Sequence, residues 1–210
     1  MNIYISNTRS TIQLEHCKLA RNVRNASKRI RSILVQPKII SDQGRFRFGG
    51  PGCVVQIDES CLRKRKFNRG RIVRGEWVVG IYDTTQKRGV IVFVVRRNRE
   101  NIFPVIQNFV IPGTTIWTDE WRAYTGLNEI GYVHNTVNHS RNFVDPVTGV
   151  CTNSVEAYWS RLKKFLRQIN VLWSKLVAEH VDEFMWRETY CRGAVAFNVF
   201  LHQVRERYPL

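Results

Sequence analysis

Short hydrophobic runs separated by polar turns dominate the middle of the chain and predict a β-rich core. Residues 83–89 lie between two of these runs and have the polar and glycine composition of a hairpin turn. Pro112 and Gly113 separate another run from the segment before it. Five runs contain enough β-branched and aromatic residues to predict strands: Val54–Asp58, Trp77–Tyr82, Val90–Val95, Thr114–Thr118 and Tyr132–Val137.

Other segments have hydrophobic residues at the three- and four-residue spacing of helices. This spacing predicts helices over Asn98–Val110 and about 174–205, and a short one over Trp121–Leu127. The most regular helix begins near Asn153, and its apolar stripe is Val155, Trp159, Leu162, Leu166 and Ile169. A hairpin followed by strands that alternate with helices predicts an α/β fold, a mixed sheet flanked by helices.

The first 48 residues differ from the rest in charge. They contain ten Lys or Arg against only Glu15 and Asp42, and their spacing predicts a basic helix over about 11–34. A Gly-Gly-Pro-Gly break at 49–52 follows. We therefore expect a basic, helical N-terminal segment over 1–48 and a catalytic domain over 49–210.

Charge narrows the classes of partner. Thirty-three Lys and Arg against seventeen Asp and Glu give a net charge of +16. This charge favours nucleic acid as the binding partner. The alternatives are a ribosome-bound protein and a soluble protein from a family that is basic throughout. Five cysteines without a C-x-x-C pair argue against zinc knuckles and a disulfide framework and favour an intracellular protein. The longest apolar run, Val90–Val95, is too short to span a bilayer, so no membrane partner is expected.

Three carboxylates have the positions expected of a metal site. Asp58 and Asp119 each lie at the end of an apolar strand, and Glu156 lies one turn into a helix. Because acids that share metal ions must lie together, we expect these two strands to be neighbours in one mixed sheet, with the helix packed nearby. Oxygen ligands suit Mg²⁺ or Mn²⁺, and two such ions can activate a water and stabilise the leaving oxygen of a phosphodiester. The alternatives are solvated acids at strand ends and, for Glu156, a capping box with Asn153.

Two basic groups are candidates for binding the DNA backbone. The alternative for the first group, before the middle of the chain, is a localisation signal. The alternative for the second group, on the predicted helix that begins near Asn153, is an ordinary exposed face with salt bridges. The candidates are Arg63, Lys64, Arg65, Lys66, Arg69 and Arg71 in the first group, and Lys163, Lys164 and Arg167 in the second.

Several motifs, in order, resemble Merlin-type transposases, which are related to a group of bacterial insertion-sequence transposases. The first is the segment 49–60, which ends in Ile-Asp-Glu-Ser, and the last is Glu183-Phe-Met-Trp-Arg187. Between them lie Arg74-Gly-Glu-Trp-Val-Val-Gly80, Ile111-Pro-Gly-Thr-Thr-Ile-Trp-Thr-Asp119 with Trp121 and Tyr124, Val137-Asn-His-Ser140 with Phe143-Val-Asp-Pro146, and Thr152-Asn-Ser-Val-Glu156.

The resemblance implies an RNase H-like fold and cut-and-paste transposition by a D-D-E triad. Carried over by position, the triad is Asp58, Asp119 and Glu156. His139 of the Asn-His-Ser motif is expected near the site as a further catalytic residue that contacts the scissile phosphate or orients a water, the alternative being a hydrogen-bonded loop histidine. Glu120 departs from the family pattern, since relatives tend to have a small or neutral residue there. The implied partners are double-stranded DNA, as transposon ends and target, and further copies of the chain in a dimer or larger assembly.

The leading hypothesis is a DNA transposase with two Mg²⁺ or Mn²⁺ ions, which cuts phosphodiesters at element ends and joins the 3′-OH to target DNA. It would act inside the cell, in the nucleus if the source is eukaryotic. One alternative is a transposase-derived DNA-binding protein without catalytic activity. Another is a basic scaffold or ribosome-associated protein, which does not explain the ordered motifs.

Overall fold

The computed structural model describes residues 47–62, 76–137, 149–171 and 176–190, together with 198, 199, 201, 202 and 205. The strands are β1 Val54–Cys61, β2 Trp77–Asp83, β3 Arg88–Val94, β4 Thr115–Asp119 and β5 Val133–Val137. The helices are α1 Arg99–Phe109, α2 Asn153–Gln168 and α3 Val177–Tyr190. The basic helix expected over about 11–34 lies outside the described residues.

The five strands form one mixed sheet in the order β3-β2-β1-β4-β5. β1, β2 and β3 pair antiparallel, whereas β4 and β5 run parallel to β1. β1 and β4 are therefore neighbours, as their two terminal acids led us to expect. The mixed sheet with flanking helices confirms the predicted α/β, RNase H-like fold class.

Each face of the sheet carries its own hydrophobic layer, because strand side chains alternate between the two faces. On one face, hereafter the α1 side, Val55 and Ile57 of β1 pack with Ile102 and Ile106 of α1. On the other, the α2 side, Val78 of β2 packs with residues of α2 and α3, among them Val155, Tyr158, Trp159, Leu162, Val181 and Phe184. Consecutive residues of β1 thus face different helices.

The predicted hairpin is confirmed, and Asp83 fixes its turn. One carboxylate oxygen of Asp83 accepts the backbone N–H groups of Thr85 and Gln86, both at 2.8 Å. The other oxygen accepts the N–H of Gly49, also at 2.8 Å. Asp83 is fully buried, so these bonds satisfy a carboxylate that would be costly to bury alone. They also tie the chain that leads into β1 to the hairpin.

Two local predictions need correction. β1 does not end at Asp58, because its pairing with β2 continues to Cys61 opposite Trp77. In place of the short helix expected over Trp121–Leu127 there is one 3₁₀ turn, Arg122–Tyr124, and a second turn, Asn128–Ile130, follows beyond that range. The helical stretch expected over about 174–205 contains α3, and residues 198, 199, 201, 202 and 205 are also helical. No helix within the described ranges is long and apolar enough to cross a membrane.

Candidate active site

The register of β1 and β4 puts Asp58 beside Asp119. The last paired residues of the two strands are Gln56 and Trp117, an offset of 61 (117 − 56). Two residues further along, the same offset joins Asp58 to Asp119 (119 − 58 = 61). Both side chains belong to the α2 side, since side chains two residues apart share a face. The sheet therefore brings together the first two carboxylates of the predicted triad.

Asp58 is held by a tryptophan of α2. The indole Nε1–H of Trp159 donates to Oδ2 of Asp58 over 3.0 Å. Trp159 reaches this position because it packs against Gly80, the residue of β2 opposite Asp58. A Cβ atom at Gly80 would lie only 2.5 Å from the Trp159 ring. The absence of a side chain at Gly80 is therefore what lets the indole approach the carboxylate.

The electrostatic surroundings of Asp58 oppose its charge. Its pKa is raised to about 6, mainly because burial removes water from the carboxylate. The backbone N–H of Glu59 and the indole of Trp159 lower this pKa, but the nearby charges of Asp119 and Glu156 raise it. Asp119 and Glu156 are therefore both close enough to Asp58 to disfavour its ionisation.

Asp119 is fixed by the turn that follows β4. Its Oδ1 accepts the backbone N–H of Trp121 over 3.1 Å. The Trp121 ring meets Tyr124 edge-to-face, with ring centroids 5.9 Å apart. Glu120, the departure from the family pattern, lies between Asp119 and Trp121 in sequence, and its side chain is exposed. The two aromatic residues of the motif thus support the loop that orients Asp119.

Glu59 faces the α1 side, although it is next to Asp58 in sequence. Its carboxylate accepts a hydrogen bond from the hydroxyl of Tyr124, which is almost fully buried. Burial is the main cause that raises the pKa of Glu59 to about 7, against the Tyr124 bond, which lowers it. The alternative of solvated acids at a strand end is therefore wrong for Asp58 and Glu59, since both are partly buried and bonded.

Glu156 lies in the first turn of α2, which a residue of β1 fixes to the sheet. Gln56 is 1% exposed, and its Oε1 accepts the backbone N–H groups of Ser154 at 2.8 Å and Val155 at 3.1 Å. Thr152 is the N-cap residue but makes no side-chain bond to the helix backbone. Gln56 thus satisfies N–H groups that every helix leaves open at its start, and it lies two residues before Asp58.

The proposed capping box between Asn153 and Glu156 is wrong. Asn153 is the first residue inside the helix rather than the residue before it. The Glu156 carboxylate instead accepts the hydroxyl of Thr152, at 3.1 Å, and its side chain is exposed. The local sequence could not reveal this arrangement, because the cap comes from Gln56, almost a hundred residues away along the chain.

The three carboxylates are the type of ligand that a hard divalent cation prefers, but only two of them, Asp58 and Asp119, lie side by side. Asp58 and Asp119 supply oxygen ligands, which Mg²⁺ prefers, and their mutual repulsion is what a cation between them would relieve. Among the described residues, however, no three His, Cys, Asp or Glu side chains converge closely enough to hold an ion. Glu156 accepts its hydrogen bond from Thr152 in this conformation. Asp58 and Asp119 are therefore in position as a pair, while Glu156 lies nearby without joining them.

The remaining candidate residues do not take part in the contacts around Asp58 and Asp119, and several lie outside the described ranges. His139 and all six basic candidates from Arg63 to Arg71 are outside them. Lys164 and Arg167 lie on the exposed face of α2, and Lys163 is partly buried. His134 shares a hydrogen bond of 2.8 Å with Thr118. His180 lies in α3 and is buried against Glu183.

Comparison with known proteins gives relatives of two kinds. An uncharacterized transposase-like protein of Haemophilus influenzae is 26% identical over 86 residues, 41% of this chain and 68% of that protein. The magnesium-bound integrase catalytic core domain of HTLV-2 has a TM-score of 0.44 at 13% identity and covers 65% of this chain and 86% of its own. The catalytic core domain of BIV integrase has a TM-score of 0.44 at 12% identity, covering 74% and 97%.

The family comparison spans most of the region that carries the site. The model of the ISXO2-like transposase domain matches residues 51–189. This range contains Asp58, Asp119 and Glu156, together with Gln56 and Trp159, which hold them. The chain belongs to the ISXO2-like transposase domain family.

Proposed function

We propose that this chain is the catalytic domain of a cut-and-paste DNA transposase that works through Asp58, Asp119 and Glu156. The observation that carries the proposal is the position of Asp58 beside Asp119, two residues beyond the last paired residues of β1 and β4, with Glu156 near enough to raise the pKa of Asp58. Membership of a transposase domain family supports it. The ordered motifs further favour a Merlin-type member of that family.

The three carboxylates would hold two Mg²⁺ or Mn²⁺ ions. When bound, such ions activate a water and stabilise the leaving 3′ oxygen of a phosphodiester. The chain's own residues then orient the ligands. Trp159 occupies one oxygen of Asp58 and the Trp121 N–H binds one oxygen of Asp119, so both carboxylates have a defined direction before any ion arrives.

The reaction would proceed on double-stranded DNA at the ends of the element and then on target DNA. Hydrolysis breaks a phosphodiester at the element end and frees its 3′-OH. This 3′-OH then attacks a phosphodiester of the target and displaces the target's own 3′ oxygen, so that the element end is joined to the target strand. Because two ends must be cut and joined together, a dimer or larger assembly on DNA follows from the proposal. An intracellular site of action, nuclear in a eukaryote, goes with this substrate.

The test compares charge-removing variants of the triad with a matched neighbour. Asp58→Asn, Asp119→Asn and Glu156→Gln keep side-chain shape but remove the charge that holds cations, so each should abolish Mg²⁺- or Mn²⁺-dependent cleavage of DNA that carries the element ends. Their losses should not add, since the triad acts as a unit. Binding in EDTA should survive, because it depends on Lys and Arg.

Glu120→Gln is the control, because this acid adjoins Asp119 in sequence but its side chain is exposed. It should retain most of the activity. If Glu156→Gln cleaves like the unaltered protein, the triad assignment is wrong. If the unaltered protein binds these ends but never cleaves them with either ion, it is a transposase-derived DNA-binding protein instead.

A further inference from the structure

Arg97 is clamped between two tryptophans at the end of the sheet. Its guanidinium carbon lies 4.5 Å from the ring centroid of Trp77 and 4.6 Å from that of Trp121. Trp77 begins β2, and Trp121 follows β4. Attraction between a cation and an aromatic face is significant within about 6 Å, and two rings hold the cation in place. The position of this charge is therefore fixed by the fold.

The clamp is joined to the candidate active site through Trp121. The backbone N–H of Trp121 donates to Asp119 over 3.1 Å, while its ring contacts Arg97. The same ring meets Tyr124, whose hydroxyl donates to Glu59, the neighbour of Asp58. A single residue thus contacts both the clamped cation and one of the paired carboxylates.

Arg97 differs from the other described arginines that lie over aromatic rings. Arg99, Arg161 and Arg187 also contact rings, but each pairs with a glutamate at 3.7, 2.9 and 2.8 Å respectively. Arg97 forms no salt bridge or hydrogen bond with the described residues, and its side chain is exposed. Its N–H donors therefore have no acceptor among the described residues. Its charge acts on Glu59 only at longer range, where it lowers the pKa of that carboxyl.

We propose that Arg97 binds a phosphate of the DNA strand that enters the site of Asp58 and Asp119. The donors at the edge of a guanidinium match two phosphate oxygens, and this pairing is charge-assisted. A phosphodiester is the anion that a substrate strand would present to a cation next to the site. The inference rests on the proposed function for the identity of the strand, but it can be tested without cleavage.

The test uses Arg97→Gln with Arg96→Gln as the matched control. Gln keeps a planar group between the indoles and removes the charge. Arg96 is the adjacent residue, is exposed, and contacts neither a ring nor an acid among the described residues. Both variants therefore remove one positive charge at almost the same place, but only one removes the clamp. Thermal unfolding of each variant checks that the fold is retained.

Affinity for a short duplex oligonucleotide would be measured in EDTA over a series of salt concentrations. Loss of one phosphate contact lowers the slope of log affinity against log salt by about one unit. We expect that change for Arg97→Gln and a much smaller one for Arg96→Gln. Arg97→Lys, which keeps the charge but not the fork of donors, should keep the slope and lower the affinity. Equal slopes for the two Gln variants would overturn the proposal.

A set of duplexes with one neutral methylphosphonate each locates the contact. In the unaltered protein one position should weaken binding more than its neighbours, and Arg97→Gln should remove that difference at that position alone. If the protein cleaves DNA but Arg97→Gln and Arg96→Gln bind alike, the clamp fails and the proposed function stands. If Arg97→Gln has the expected effect but no cleavage occurs with Mg²⁺ or Mn²⁺, the phosphate contact of Arg97 stands and the proposed function fails.

Discussion

Gln56 accepts both backbone hydrogen bonds at the start of α2, so replacing it tests how the helix is fixed to the sheet. Leu has a similar size and would fill the buried space, but it cannot accept a hydrogen bond. In Gln56→Leu the N–H groups of Ser154 and Val155 would lose their partner. The bond to Val155 is buried, whereas that to Ser154 is partly exposed to water.

The magnitude follows from the environment of each donor. A buried donor left without a partner costs about 1–3 kcal/mol, and this range applies to Val155. Water can replace the bond to Ser154 in part, so we assign it about 1 kcal/mol. Together they predict that the free energy of unfolding falls by about 2–4 kcal/mol. For a protein of this size each kcal/mol lowers the melting temperature by about 2–4 °C.

Urea denaturation measures the loss, and amide hydrogen exchange at Val155 locates it. Gln56→Glu is the conservative comparison, because a carboxylate also accepts both bonds and is favourable at a helix N-terminus. It also buries a charge two residues from Asp58, so we expect a stability between that of Gln56→Leu and that of the unaltered protein. If Gln56→Leu unfolds at the same urea concentration as the unaltered protein and exchange at Val155 does not increase, Gln56 does not cap the helix.

Two further perturbations test the packing behind the site. In Gly80→Ala the new Cβ would meet the Trp159 ring at 2.5 Å, so we expect a loss of about 1–3 kcal/mol and a shift in tryptophan fluorescence as the indole leaves Asp58; an unchanged spectrum and melting temperature would contradict this. Burial, and then the charge of Glu179, raise the pKa of Asp182 in α3 to about 6 from 3.8. Its ionisation therefore opposes folding progressively as the pH rises through this window, so Asp182→Asn should be more stable than the unaltered protein by about 1 kcal/mol above pH 6, after allowance for partial exposure. The two proteins should unfold alike below pH 4, and a gap of constant size at all pH values would exclude this cause.

Local patterns were sufficient to predict most of the elements. The β-branched runs, the turn at 83–89 and the apolar stripe of α2 all depend on neighbouring residues, and the structure has each of them. The pairing of β1 with β4 also followed, because an acid after each strand suggested that the two strands meet. The prediction of the apolar stripe was wrong only for its last residue, Ile169, which follows the last helical residue and is exposed.

Contacts between distant segments were not predictable in the same way. Gln56 was overlooked, although a polar residue inside an apolar run must find a partner if it is buried. Nothing near Gln56 indicates that this partner is the start of a helix far along the chain. A solvated acid at the strand end remained an alternative for Glu59 for the same reason, since its partner Tyr124 belongs to another segment. Arg97 required the positions of two tryptophans from separate segments.

The alternation of β1 assigns opposite environments to two consecutive acids. Asp58 meets Trp159 on one face, and Glu59 meets Tyr124 on the other. Loss of one residue within the first half of β1 would move every side chain of the second half to the opposite face of the sheet. Glu59 would then face the α2 side, and Asp58 would face the α1 side. The strand can therefore tolerate exchanges of side chains more readily than a change of length, because an in-frame deletion in its first half would separate Asp58 from Trp159 while leaving every acid in the sequence.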